Sequence, residues 1–170
     1  MRLSSSVLAV LSLVTACSNA AEPALDAALG VDASAAVDAP TAPLGTLIVN
    51  EVAAGETPDW FEVVNVSTAA VALEDYCYVD LAGNLAGCVP FAAMMLAPGA
   101  YHAQDVDDLG AGFKLASDEE VWVYRIADQR LADGVDWAEG NAAAGTSFRR
   151  IPDATGAFAT GAQTRGASND

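Results

Sequence analysis

From Gly45 to Asp170 the apolar residues come in short runs rich in Val, Ile, Trp, Tyr and Phe, broken by turn residues at close intervals. Nowhere do they recur at sustained helical spacing, so the runs read as strands. Strands are expected at Leu47 to Val52, Trp60 to Val66, Ala70 to Leu73, Tyr76 to Asp80, Leu85 to Phe91, Tyr101 to Gln104, Glu120 to Ile126, Arg130 to Trp137 and Ser147 to Ile151. Punctuation falls at Gly55 to Asp59, Gly83-Asn84, Pro98-Gly99, Gly110 to Gly112 and Asp153 to Gly156. Asp133-Gly134 reads either as a turn or as a bulge inside its strand. So many short strands with such frequent turns predict an all-β domain of two sheets packed as a sandwich. At 126 residues (170 minus 44) the segment suits one domain with a real core.

The first residues address the chain rather than fold with it. Arg2 precedes an apolar run from Val7 to Val14, well short of the ~20 residues that span a bilayer as a helix. The run closes on Val14-Thr15-Ala16-Cys17, which resembles the bacterial lipoprotein signal, with residues 1–16 as the signal peptide. That resemblance implies a mature chain beginning at Cys17, carrying a diacylglyceryl thioether and an N-acyl group. Acyl chains worth ~0.8 kcal/mol per buried methylene then hold it on a membrane. Ser18 stands where Asp is the inner-membrane retention residue, which favours the outer membrane. The alternative is ordinary cleavage after Ser18-Asn19-Ala20 and release as a secreted protein.

Residues 17–44 read as a lipidated, disordered tether rich in Ala, Asp and Pro, with no aromatic residue and no means of building a core. The 27 residues after Cys17 (44 minus 17) have an end-to-end distance of about 30 Å as a flexible coil. A short Ala-rich helix around Ala24 to Leu29 is the competing reading, marginal at that length.

Export also bears on the cysteines. With Cys17 acylated, Cys77 and Cys88 remain as an even pair in an oxidising compartment. They are symmetric about a point between Ala82 and Gly83. A hairpin over Tyr76 to Val89 with its tip there places them opposite each other, at ~4.5 to 5.5 Å between Cβ atoms. The bridge pins a hairpin. No Cys-x-x-Cys or flanking cation suggests redox chemistry.

The formal charge is −16, or −17 once Arg2 leaves with the signal, and so acidic a surface disfavours nucleic acid and bare anionic lipid as partners.

The order of segments resembles the lamin-tail domain. LIVNEV (Leu47 to Val52), DWFEVVN (Asp59 to Asn65), VALEDYCYVD (Val71 to Asp80), APGAY (Ala97 to Tyr101), SFRRIPD (Ser147 to Asp153) and TRGASN (Thr164 to Asn169) follow that family's blocks in sequence. The resemblance implies an immunoglobulin-like β-sandwich over 45–170. Tyr76-Cys77 departs from the usual Gly-Trp, and Arg165 from the usual Pro. The matching polar residues are Glu51, Glu62, Asn65 and Arg150. A structural role is the stronger expectation for them, since such residues in sheet proteins close strand ends and bulges, and Glu51 or Glu62 is expected to satisfy Arg150.

Three chemistries remain to be weighed. Asp105, Asp107 and Asp108 with Gly110 mimic the start of a calcium loop, but Leu109 and Ala116 stand where ligands should complete it, so a solvated acidic loop is preferred and no cofactor is expected. His102, the single histidine, sits in a predicted strand away from any nucleophile pattern, and carboxylate pairs arise by chance on an acidic surface, so no enzymatic activity is expected. Trp60, Trp122, Tyr124 and Trp137 offer flat faces to a glycan, yet core packing is the stronger reading. Trp122 and Tyr124 share one strand face against Val121, Val123 and Arg125 on the other, and only one set can fill the interior.

The expectation is therefore a non-catalytic, lipid-anchored cell-envelope interaction or scaffold module whose partner is a protein or cell-surface polymer. Alternatives are a calcium- or glycan-binding surface module and an accessory subunit of a secreted hydrolase.

Overall fold

The computed structural model describes residues 43–106 and 113–170. Cys17, the expected signal and the expected tether as far as residue 42, with Asp107 and Asp108 of the acidic loop, lie outside the described residues. Leu44, expected to end the tether, instead donates its N–H to the Leu131 carbonyl at 3.1 Å and packs on the core. The strands are β1 (Leu47–Ala53), β2 (Trp60–Asn65), β3 (Val71–Ala72), β4 (Tyr76–Val79), β5 (Val89–Pro90), β6 (Met95–Leu96), β7 (Tyr101–Asp105), β8 (Glu119–Arg125), β9 (Arg130–Trp137), β10 (Ser147–Ile151) and β11 (Ala157–Gly161). No α-helix occurs among the described residues; two single 3-10 turns, Leu73–Asp75 and Leu85–Gly87, are the only helical elements there.

The strands form a five-stranded sheet in the order β11-β10-β1-β2-β7, a four-stranded sheet in the order β5-β4-β8-β9 and a small β3-β6 pair. Every pairing is antiparallel. Leu47, Val49, Val52, Phe61 and Val63 of the larger sheet pack against Tyr76, Tyr78, Val121, Val123, Val135 and Trp137 of the smaller one. Phe61, Tyr78 and Phe91 meet edge-on or tilted at the centre, with ring centroids 4.9 to 6.0 Å apart. The β8 alternation is thereby resolved: Val121 and Val123 fill the interior, while Trp122 and Tyr124 lie on the other face with Cys77 and Val79.

Several elements differ from the expected strands. The run from Leu85 to Phe91 is not one strand, because Gly87 closes a 3-10 turn and Pro90 restricts pairing to the short edge strand β5. Leu73 likewise opens a 3-10 turn instead of ending a strand. Strand β11 has no counterpart among the expected strands, because AFATG is largely exposed and carries no alternating apolar signal. β6 is only Met95–Leu96.

The cysteines are bridged, with Cα atoms 5.5 Å apart. They are not directly opposite, however: Cys77 pairs with Pro90 and Tyr78 with Val89, so the ladder is shifted by two residues from the symmetric hairpin. The 3-10 turn that ends at Cys88 brings the diagonal pair within bonding reach.

Two bulges prepare the polar features. β1 holds one extra residue, Asn50, between the pairs Val49–Val63 and Glu51–Glu62. β9 holds one, Ala132, between Leu131–Tyr124 and Asp133–Val123, a step earlier than the sequence suggests. Because of it Ala132 and Asp133 both turn inward, Ala132 into the core and Asp133 onto Val49, and Gly134 comes out beneath Trp122.

Candidate functional site

The outer face of the five-stranded sheet should be wet, yet two carboxylates there are fully buried. Glu51 and Glu62 are register partners across β1 and β2 on the side opposite the core residues Val52 and Phe61. The chain after β11, residues 162–170, crosses this face as a strap and covers them. Thr164 donates its backbone N–H to Glu51 Oε1 at 2.9 Å, and its Oγ1 lies 2.9 Å from Glu51 Oε2. Ser147 Oγ donates to Glu51 Oε1 at 2.5 Å. Glu62 accepts from the Gly166 N–H at 2.5 Å and from Asn50 Nδ2 at 3.3 Å.

Asn50, the bulge residue, links the pair to a third carboxylate. Its Nδ2 also donates to Asp153 Oδ1 at 3.0 Å, and its Oδ1 accepts the Ala154 N–H. Asp153 further accepts from the Asn169 N–H and from the Tyr101 hydroxyl at 2.6 Å. Asn169 Nδ2 donates to the Asn50 and Arg150 carbonyls, both at 3.1 Å. Arg165 pairs with Asp105 and sits 5.2 Å from the Trp60 ring centroid, closing the strap over that buried indole.

Electrostatics follow from this burial. Loss of water pushes the Glu62 carboxyl up to about 7, against the pull of the Gly166 and Asn50 donors, and the Glu51 and Asp153 charges push it further. Burial acts on Asp153 in the same sense, but its bonds from Tyr101, Asn169 and Asn50 outweigh that and hold it below the usual carboxylate range. The same bond to Asp153 heads the causes that raise the Tyr101 phenol to about 12.

Arg150 does not meet Glu51 or Glu62. Both carboxylates lie on the outer face, whereas Arg150 reaches the rim between the sheets, where Nη2 donates to Asp133 at 2.8 Å, Nε to the Val49 carbonyl at 2.8 Å and Nη1 to the Gly156 carbonyl at 3.2 Å. Its guanidinium lies 4.5 Å from the Phe158 ring centroid. Asn65 stands apart, closing the end of β2: Nδ2 donates to the Ala69 and Leu96 carbonyls at 2.8 Å, and Oδ1 accepts from Ser67 N–H and Oγ. The structure thus brings Glu51 and Glu62 together with Asn50, Asp153, Thr164 and Asn169, and leaves Asn65 and Arg150 elsewhere, Arg150 with Asp133. The motif blocks contained most of these residues, but nothing in their spacing assigned them partners.

Of the calcium candidates only Asp105 is described, and Arg165 engages it. Among the described residues no cluster of three or more His, Cys, Asp or Glu side chains is placed to hold a metal. His102 lies on β7 with its ring edge-on to Phe91 and Nε2 3.4 Å from Gln104 Oε1. Trp60, Trp137 and Tyr124 are buried and Trp122 is partly so; Trp122 and Tyr124 share a face but are not exposed together as a sugar platform needs.

Comparison of the chain with protein-family models, curated proteins and solved structures finds no match.

Proposed function

We propose that this chain is a lipid-anchored, extracytoplasmic module that works by surface contact: a lamin-tail-like, immunoglobulin-type sandwich held at the outer membrane through Cys17. Its partner is a protein or a cell-surface polymer. The observation that carries the reading is how the polar residues of the lamin-tail resemblance are used. Glu51, Glu62, Asn65 and Arg150 all spend their hydrogen-bonding capacity on the chain's own backbone and side chains. Residues so engaged hold a shape, and the shape with its acidic surface is then what a partner meets.

The test is photo-crosslinking in intact envelopes, with the crosslinker placed at exposed positions such as Leu81 and Met95. The reading expects discrete crosslinked species in the membrane fraction, lost when Cys17→Ala releases the chain. Absence of any crosslinked species from every exposed face would reject it.

A further inference from the structure

We propose that residues 162–170 form a proton-gated strap, docked on the outer face of the five-stranded sheet while the Glu51–Glu62 pair holds a proton and loosened when the pair is fully charged.

Thr164 Oγ1 lies 2.9 Å from Glu51 Oε2 and 2.5 Å from Asn169 Oδ1. The Asn169 amide cannot be turned round, since its Nδ2 serves two carbonyls. A hydroxyl has one proton for these two oxygens, so the seam is one hydrogen short. A proton on the carboxyl pair supplies it: the carboxyl then donates to Thr164 and Thr164 to Asn169.

Arg149, the register partner of Glu51 on β10, is a cation on this face, but its Nη1 goes to the Asn169 carbonyl and it makes no bond to either carboxyl among the described residues. The donors to the two carboxyls are neutral: Ser147 Oγ, Asn50 Nδ2, the Thr164 hydroxyl, and the Thr164 and Gly166 N–H groups. The charged and titratable groups of the packed elements bond elsewhere, save the buried Arg149 Nε, which has no partner among the described residues, and Glu56 accepts from Gln163 of the strap. From β7 come Tyr101, bonded to Asp153, and Asp105, paired with Arg165 of the strap. From β10 come Arg149, donating to the Asn169 carbonyl, and Arg150, paired with Asp133 of β9. The β10–β11 turn adds Asp153, and the chain end adds Asp170, which accepts the Asp153 N–H. Two facing carboxylates with a third beside them repel when charged, and burial of Glu62 acts in the same direction.

The strap is also the part able to respond. It is bound through side chains and single N–H groups, whereas β1 and β2 are laddered along their length. Its departure returns both carboxyls to water and uncovers Trp60, giving the domain an acidic, aromatic face that it otherwise hides.

Hydrogen exchange of the full mature chain tests this, at pH 5.5 and 8.5, with each amide corrected for its intrinsic base-catalysed rate. The amides of Thr164, Gly166 and Asn169 should lose about tenfold in protection at the higher pH, while β1 and β2 keep theirs. Glu51→Gln places an amide N–H where the carboxyl proton is needed and removes one charge, so it should abolish most of that loss. Equal protection of the wild-type strap at both pH values would overturn the proposal. So would loss shared equally by β1 and β2, or a Glu51→Gln chain that loosens as the wild type does. The wild-type comparison decides alone if the variant does not fold.

Discussion

The Arg150 guanidinium and the Asp133 carboxylate, 2.8 Å apart, hold between them both backbone polar groups of Val49: Asp133 accepts its N–H at 3.0 Å and Arg150 donates to its carbonyl at 2.8 Å. Val49 lies just before the Asn50 bulge, where β1 has left the β10 ladder, and Asp133 is turned inward by the bulge in β9. Two irregularities, one per sheet, are thus joined by one ion pair.

Removing that pair should be felt well beyond one surface contact. Arg150→Met is expected to lower unfolding free energy by about 2 to 4 kcal/mol, because it strands a partly buried carboxylate and the Val49 carbonyl together. Asp133→Ala should cost a similar amount, and the double variant less than the sum. Urea titration of the three chains checks this, and an unchanged midpoint for Arg150→Met would remove the ion pair from the account.

Gly134 is held to glycine by the ring above it. A Cβ there would lie 2.2 Å from Trp122 Cε3, so Gly134→Ala must displace the indole. The expected loss is about 1 to 3 kcal/mol, with a red shift in tryptophan emission, and Trp122→Ala in the same chain should relieve most of the added strain.

How far the sequence reveals this molecule depends on the range of the signal. Val121 alternating with Trp122, or Phe61 with Glu62, is a local pattern that shows a strand and its two faces, though not which face is interior. Strand β11 has no such pattern, since an exposed edge of Ala, Thr and Gly looks like a loop. The cysteines show that parity and symmetry can identify a bridge while missing its register, because a 3-10 turn absorbs two residues. In the seam, Glu51 and Glu62 are visible as polar residues in apolar strands. That Thr164 and Asn169, over a hundred residues later, would cover them is a tertiary fact with no local trace.

The disulfide closes a short loop, with Cys77 and Cys88 separated by 11 residues. Its removal should cost about 3 kcal/mol, measured as the difference between Cys77→Ser/Cys88→Ser and the wild type. The β4–β8 ladder is independent of it, so far-ultraviolet circular dichroism should stay that of the native sheet.

Stability should peak on the acid side of neutrality. Glu62 is raised from 4.5 to about 7 in the fold, so the folded chain binds the extra proton and its contribution, full below 4.5, is lost as pH rises through 7. Asp153 is depressed, so its contribution is present above the ordinary value of 3.8 and vanishes in stronger acid. Unfolding free energy measured from pH 3 to pH 9 should therefore fall on both sides of a maximum near pH 4 to 5, and Glu62→Gln should flatten the neutral limb. A maximum at pH 8 would contradict the assignment.

The claim that the domain is held at a membrane is tested most directly by the intact mass of the mature chain extracted from envelopes. The account predicts a chain beginning at Cys17 with a diacylglyceryl thioether and an N-acyl group. A chain beginning at Ala21, or an unmodified Cys17 in the soluble fraction, would contradict it.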